Sequence, residues 1–219
     1  MRQLPLPLSW SFSKDVKDFV VSDCNRYAFE WLEKWPLKIH SQVVCLVGEA
    51  GAGKTHLAHI WADKMGAKWF RNIDICYETI SNEFERVSNE FFVLDDADEV
   101  KDEFLLFYLF NVIKSSGAYL LMTAKDYPNA WKLGLEDIRS RLSTVDVVQI
   151  HKPNDTAISL IISKMLSQRG LIAPDDVVTF ISNRIERTYS SISYWVNRID
   201  TSLIDRNHKL SIHSIKSLF

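Results

Sequence analysis

Residues 43–55 read Val43-Val44-Cys45-Leu46-Val47-Gly48-Glu49-Ala50-Gly51-Ala52-Gly53-Lys54-Thr55, and this stretch decides the fold. Five apolar, β-favouring residues run into Gly48, four further positions, then Gly53, Lys54 and Thr55. That is the phosphate-binding loop pattern G-x-x-x-x-G-K-[ST], which requires a strand before it and a helix after it. The sequence predicts both, a strand over Val43–Val47 and a helix over Lys54–Met65. Each residue type answers to the chemistry. Glycines let the main chain turn tightly and bring its N–H groups close to phosphate oxygens. The helix that follows adds the positive end of its dipole. Lys54 is placed to reach the β- and γ-phosphates, and the Thr55 hydroxyl to ligate Mg²⁺. The nucleotide-contacting set predicted from the loop is Gly48, Glu49, Ala50, Gly51, Ala52, Gly53, Lys54, Thr55 and His56. At average residue usage the bare pattern arises by accident in roughly one chain of this length in a hundred.

Outward from the loop, short apolar runs alternate with helical patterns. Phe91–Leu94, Tyr119–Thr123 and Val145–Ile150 read as further strands, with Lys68–Phe70 a weaker one, and Phe104–Lys114 as a buried helix. Near-continuous apolar strands separated by helices predict a parallel sheet covered on both faces. The composition changes at Lys152-Pro153. Ile158, Ile161, Ile162, Met165 and Leu166 follow helical spacing up to Gly170, and Pro174 opens a second helix carrying Val177, Phe180 and Ile181. Ile192, Trp195, Val196, Ile199 and Leu203 mark a third, and Ile212 to Phe219 a fourth. The predicted organisation is an extended tail at 1–10, an α/β nucleotide-binding domain at 11–151 and an all-α unit at 152–219.

Composition narrows the function classes. The chain has 219 residues, 47% apolar and 25% charged, with a net charge of −2. It has the makings of an ordinary core, and no face rich in Lys or Arg points to strong nucleic-acid binding. Cys24, Cys45 and Cys76 are odd in number and lack CxxC spacing, which argues against a disulfide framework and for the cytoplasm. Pro5 and Pro7 break the run that a signal peptide needs, and no stretch approaches a membrane span.

Phe91 to Asp96 form an apolar strand ending in two carboxylates. Beside a phosphate loop, Asp95 is expected to hold Mg²⁺ together with Thr55, and Asp96 to orient or deprotonate the attacking water. Asp98 and Glu99 follow, so an acidic turn is the competing reading. Thr123, Lys125 and Asp126, after the Tyr119–Thr123 run, are candidates for a polar group near the γ-phosphate. Arg139 and Arg141 precede the last strand; either stays on the surface paired with Glu136 or Asp137, or reaches a neighbour's γ-phosphate in trans. His56 and His59, at i and i+3, are read as packing residues, not metal ligands. In the tail Gln3, Leu4, Pro5, Leu6, Pro7 and Leu8, proline holds an apolar edge extended, either as a loose terminus or as a peptide for a partner's groove.

Taken together, Phe19-Val20-Val21-Ser22 through Asn25, GKTHLAHIWA at 53–62, LDDAD at 94–98, LMTAKDYPNAW at 121–131 and KLGLEDIRSRL at 132–142 resemble the AAA+ family related to the bacterial replication initiator DnaA. Within it they look most like the Hda-type regulatory inactivators of that initiator. The resemblance implies an α/β P-loop fold with a five-stranded parallel sheet flanked by helices, a helical lid after it, and ATP or ADP with Mg²⁺ between the two. It implies that Arg141 is the arginine finger and that residues 3–8 bind the DNA polymerase sliding clamp. The expected partners are the clamp, the initiator and, in a homo-oligomer, further copies of the chain; binding of origin boxes is not expected. The expected role is to promote ATP hydrolysis by the initiator, with slow hydrolysis of its own; the alternative is a self-contained ATPase or helicase-loader-like protein acting on single-stranded DNA.

The sequence also departs from the family pattern. The lid arginine falls on Ser190, with Arg187 a turn earlier as its candidate substitute. The initiators' acidic residue after the fourth strand falls on Lys125, and Ser143-Thr144-Val145 replaces the aromatic–Gly step after the finger.

Overall fold

The computed structural model describes residues 19–71, 74–86, 91–204 and 210–219, apart from the side chains of 85, 86 and 204. The expected clamp-binding residues 3–8 lie outside the described residues.

Five parallel strands form one sheet in the order β2-β3-β4-β1-β5. They are β1 Val43–Val47, β2 Lys68–Arg71, β3 Phe91–Asp95, β4 Tyr119–Ala124 and β5 Asp146–Gln149. β1 is interior, with Val47 level with Ala124 on one side and Gln149 on the other. Strand alternation sends successive residues to opposite faces. Cys45, Val47, Phe92, Leu94, Leu120 and Met122 pack with α3 (Tyr77–Arg86), α4 (Glu103–Ser116) and α5 (Glu136–Leu142). Val44, Leu46, Val93, Leu121 and Val148 pack on the other face with α1 (Arg26–Lys34) and α2 (Lys54–Met65). That second layer is anchored by Trp35, whose ring stacks on Trp61 at 4.6 Å while the Trp61 indole N–H donates to the Trp35 carbonyl.

After β5 the chain is helical: α6 Asp155–Gln168, α7 Asp175–Ser182, α8 Tyr189–Ile204 and α9 Ile212–Ile215. Ile158, Ile162, Val177, Ile181, Ile192, Val196 and Ile199 close a separate buried cluster there. Asn154 caps α6 by accepting from the Ala157 N–H, as the Asn–Asp sequence at a helix start favours.

The structure departs from the sequence expectation in helices rather than strands. The expected fourth lid helix is one turn, capped by Ser211 and Ser214, followed by a 3₁₀ turn at Lys216–Leu218 that brings Phe219 onto Trp195 at 4.1 Å. α1, α3 and α5 are helices that the sequence pattern does not mark. They have 9, 10 and 7 residues, too short to be stable alone, and their apolar stripes make sense only against the sheet. Among the described residues no helix is long and apolar enough to cross a membrane.

Candidate nucleotide and metal site

All five strands end on one edge of the sheet, the edge at which open α/β sheets place their ligands. The phosphate loop lies there, between β1 and α2. Gly51 and Gly53 hold φ of +80° and +88°, the left-handed region where a side chain is strained. Gly53 is the N-cap of α2 and gives the first turn no side-chain cap, at a helix end whose dipole favours an anion.

Lys54 is buried, and its ammonium donates to the carbonyl oxygens of Gly48 at 2.7 Å and Glu49 at 3.2 Å. It thus bridges the loop on which it sits. Burial lowers its pKa, against the opposing pull of Asp96, Asp98 and Asp95.

Beside the loop, three residues from three elements meet. Asp95 at the end of β3 accepts from Thr123 Oγ1 of β4 at 2.7 Å and from Thr55 Oγ1 of α2 at 3.1 Å. Thr123 is fully buried, so of the three polar candidates after Leu121 it is the one turned inward. Its hydroxyl oxygen also accepts from the Asp96 N–H at 2.9 Å. Asp96 holds a left-handed backbone at φ 51°, unusual outside glycine and tolerated best by Asn and Asp. Burial, then the charges of Asp95 and Glu99, raise its pKa.

Asp95 and Thr55 are hard oxygen donors, and the pair fits Mg²⁺, which keeps several waters and takes few protein ligands beside phosphate oxygens. Among the described residues no group of three His, Cys, Asp or Glu side chains forms a protein-only metal cage. Asp98 and Glu99 serve the acidic turn instead: Asp98 accepts from the Lys125 N–H at 2.8 Å, and Glu99 pairs with the Lys125 ammonium at 2.9 Å. Thr55 and Asp95 also form part of the wall of a cleft of about 1000 Å³ bounded by α2, β2 and α3, at the upper end of small-molecule sites.

The remaining candidates fall around this centre. His56 meets the edge of Phe19 at 5.4 Å and His59 stacks on Trp69 at 3.9 Å, so both pack on aromatic rings. Phe19 also covers Gly53, where an added Cβ would come within 3.2 Å of the ring. Arg187 pairs with Asp155 at 2.7 Å on the surface of the lid, and the Ser190 hydroxyl donates to Thr188. Arg139 is exposed, and the Arg141 guanidinium lies over Phe107 of α4, 4.6 Å from the ring centroid. The loop before α5 is held by Glu103, whose carboxylate accepts from the N–H groups of Gly134 at 2.8 Å and Leu135 at 2.6 Å. Those bonds lower the Glu103 pKa. Tyr189, which abuts Gly51, was not singled out from the sequence; in isolation it is simply the first aromatic of a helix.

The fold and this edge define the class as a P-loop α/β fold of the AAA+ type, with a helical lid. No protein-family model matches the chain. A Haemophilus influenzae protein described only as uncharacterized is 25% identical over 230 residues, spanning 99% of this chain and 98% of its own. Domain III of the Thermotoga maritima replication initiation protein DnaA superposes with a TM-score of 0.74 at 17% identity, over 94% of this chain and 95% of that one. The Thermotoga maritima RuvB Holliday junction branch migration motor gives 0.71 at 16% identity, over 94% and 72%. DnaA from Aquifex aeolicus bound to AMPPCP gives 0.67 at 18% identity, over 86% and 65%.

Proposed function

We propose that this chain is an adenine-nucleotide-binding AAA+ regulator of chromosomal replication initiation, acting in the cytoplasm. The observation that carries the nucleotide part is the meeting of Thr55, Asp95 and Thr123 beside a phosphate loop with two left-handed glycines. The loop N–H groups and Lys54 take the phosphates of ATP or ADP, Thr55 and Asp95 hold Mg²⁺, and Asp96 orients or deprotonates the attacking water. The metal neutralises phosphate charge when bound.

The regulatory part rests on the sequence resemblance. Residues 3–8 dock on the sliding clamp, and Arg141 is presented to the nucleotide of the initiator, where it stabilises charge developing on the γ-phosphate. A trans arginine is worth about 10³–10⁵ in rate in other phosphoryl-transfer systems, enough to turn a slow ATPase into a timed switch.

The test is ATP turnover by the initiator with clamp loaded on DNA, with and without this chain. Stimulation is expected, lost in Arg141→Ala with clamp binding intact, and lost with clamp binding when residues 1–8 are removed. DNA-stimulated turnover by this chain alone, indifferent to clamp and initiator, would instead establish a self-contained ATPase and end the regulatory proposal.

A further inference from the structure

Tyr189 opens α8, yet its side chain belongs to a different core from the rest of that helix. Ile192, Val196, Ile199 and Leu203 pack in the lid cluster, whereas Tyr189, 5% exposed, is buried with Leu46, Leu57, Val148 and Ile150 against the sheet. Its phenol proton faces two acceptors, the His151 carbonyl oxygen at 3.0 Å and Cys24 Sγ at 3.1 Å. Burial and the Cys24 thiol push its ionisation upward, so it remains a neutral donor.

Those acceptors lie in the two segments that flank the phosphate loop in space. His151 is in the junction from β5 to the lid, and its N–H donates to the Cys24 carbonyl at 2.9 Å. The same junction leans on the loop. A Cβ added to Gly48 would meet Ile150 at 3.2 Å, and Lys152 pairs with Glu49 at 3.1 Å. Tyr189 itself closes the circuit at the other end, because a Cβ on Gly51 would lie 3.3 Å from its own Cβ. One neutral residue therefore lies against the loop apex and bonds both the lid junction and the segment before α1.

We propose that Tyr189 is a positioning residue that sets the shape of the phosphate loop, tying Gly51 to the His151 junction so that di- and triphosphate nucleotides meet a preformed cradle. The inference rests on the nucleotide-binding function proposed for that loop. Its chemistry is packing plus one shared hydroxyl proton, so it acts on the loop and not on the phosphates.

Tyr189→Phe keeps the ring and removes the hydroxyl. In the full chain without nucleotide, amide hydrogen exchange is expected to quicken at residues 48–53 as well as at the start of α8. Release of a fluorescent ADP analogue is expected to be about fivefold faster, the scale set by one buried hydrogen bond. Tyr194→Phe, at an exposed tyrosine on the same helix, is expected to match the wild type in both measurements. Unchanged exchange at 48–53 overturns the inference, and so does acceleration spread evenly over the sheet, which marks a general loss of packing. If the unaltered chain fails to bind the analogue, the nucleotide-binding proposal falls, and the exchange pattern alone decides on Tyr189.

Discussion

The phosphate loop and the lid meet at Gly51 and Tyr189 and are built from opposite materials. The loop uses main-chain amides, left-handed glycines and a buried cation, Lys54, folded onto its own carbonyls. The lid sets Tyr189 against Gly51 and turns its neutral phenol to the His151 carbonyl, while Arg187 stands at the surface paired with Asp155. The contrast teaches that the main-chain geometry of such a loop is local to a motif, whereas the lid residue that covers it depends on tertiary packing.

Ile192 is fully buried in the lid cluster, so Ile192→Ala is expected to cost about 2–5 kcal/mol, as large-to-small core changes do. Because that cluster is distinct from the two sheet cores, circular dichroism on heating should show an early loss of helix ahead of the sheet. A single unchanged transition would erase the division between the two regions.

On the loop side, Lys54→Ala removes two charge-assisted hydrogen bonds as well as the cation, and ATP affinity by titration calorimetry should fall at least about a hundredfold. Asp95→Asn is expected to weaken binding about tenfold in Mg²⁺, the loss of one charged ligand interaction, and far less with the metal chelated. Equal losses with and without metal would move Asp95 out of the cation site.

Glu103 provides a pH signature outside both regions. Its folded pKa is depressed, so its contribution is present above the unfolded value of about 4.3 and lost as pH falls through the lower folded one. Glu103→Gln should flatten that acid limb of stability in denaturant titrations and leave the neutral range little changed. The smallest effect is expected from Arg187→Ala, whose exposed partner is Asp155: an unfolding midpoint indistinguishable from wild type. Loss of nucleotide affinity in that variant would show that the pair opens to hand the arginine to phosphate.

Much of the sheet was legible because interior parallel strands are unbroken apolar runs. β1, β3 and β4 have that character, whereas β2 presents Lys68 and Arg71 to solvent and buries only Phe70 fully, so its signal was weak. The loop's shape was legible because Gly, Lys and Thr spacing encodes its main-chain geometry. What stayed open was register. Leu94 lies level with Met122, which sets Asp95 beside Thr123 and leaves Lys125 to the acidic turn; no single strand carries that information. Tyr189 and Phe19 lie far along the chain from the glycines they cover, and their chemistry alone gives no sign of it.

The grip of Glu103 on the Gly134 and Leu135 amides bears on how a second protein would meet this one. It fastens the start of α5 to α4, whose Phe107 backs the Arg141 guanidinium, and both helices are rooted in the sheet, not in the lid. That flank is therefore fastened independently of the lid helices. Under the proposed role of Arg141, its guanidinium would stand on a flank already fixed, and the timing of its use would come from the docking protein.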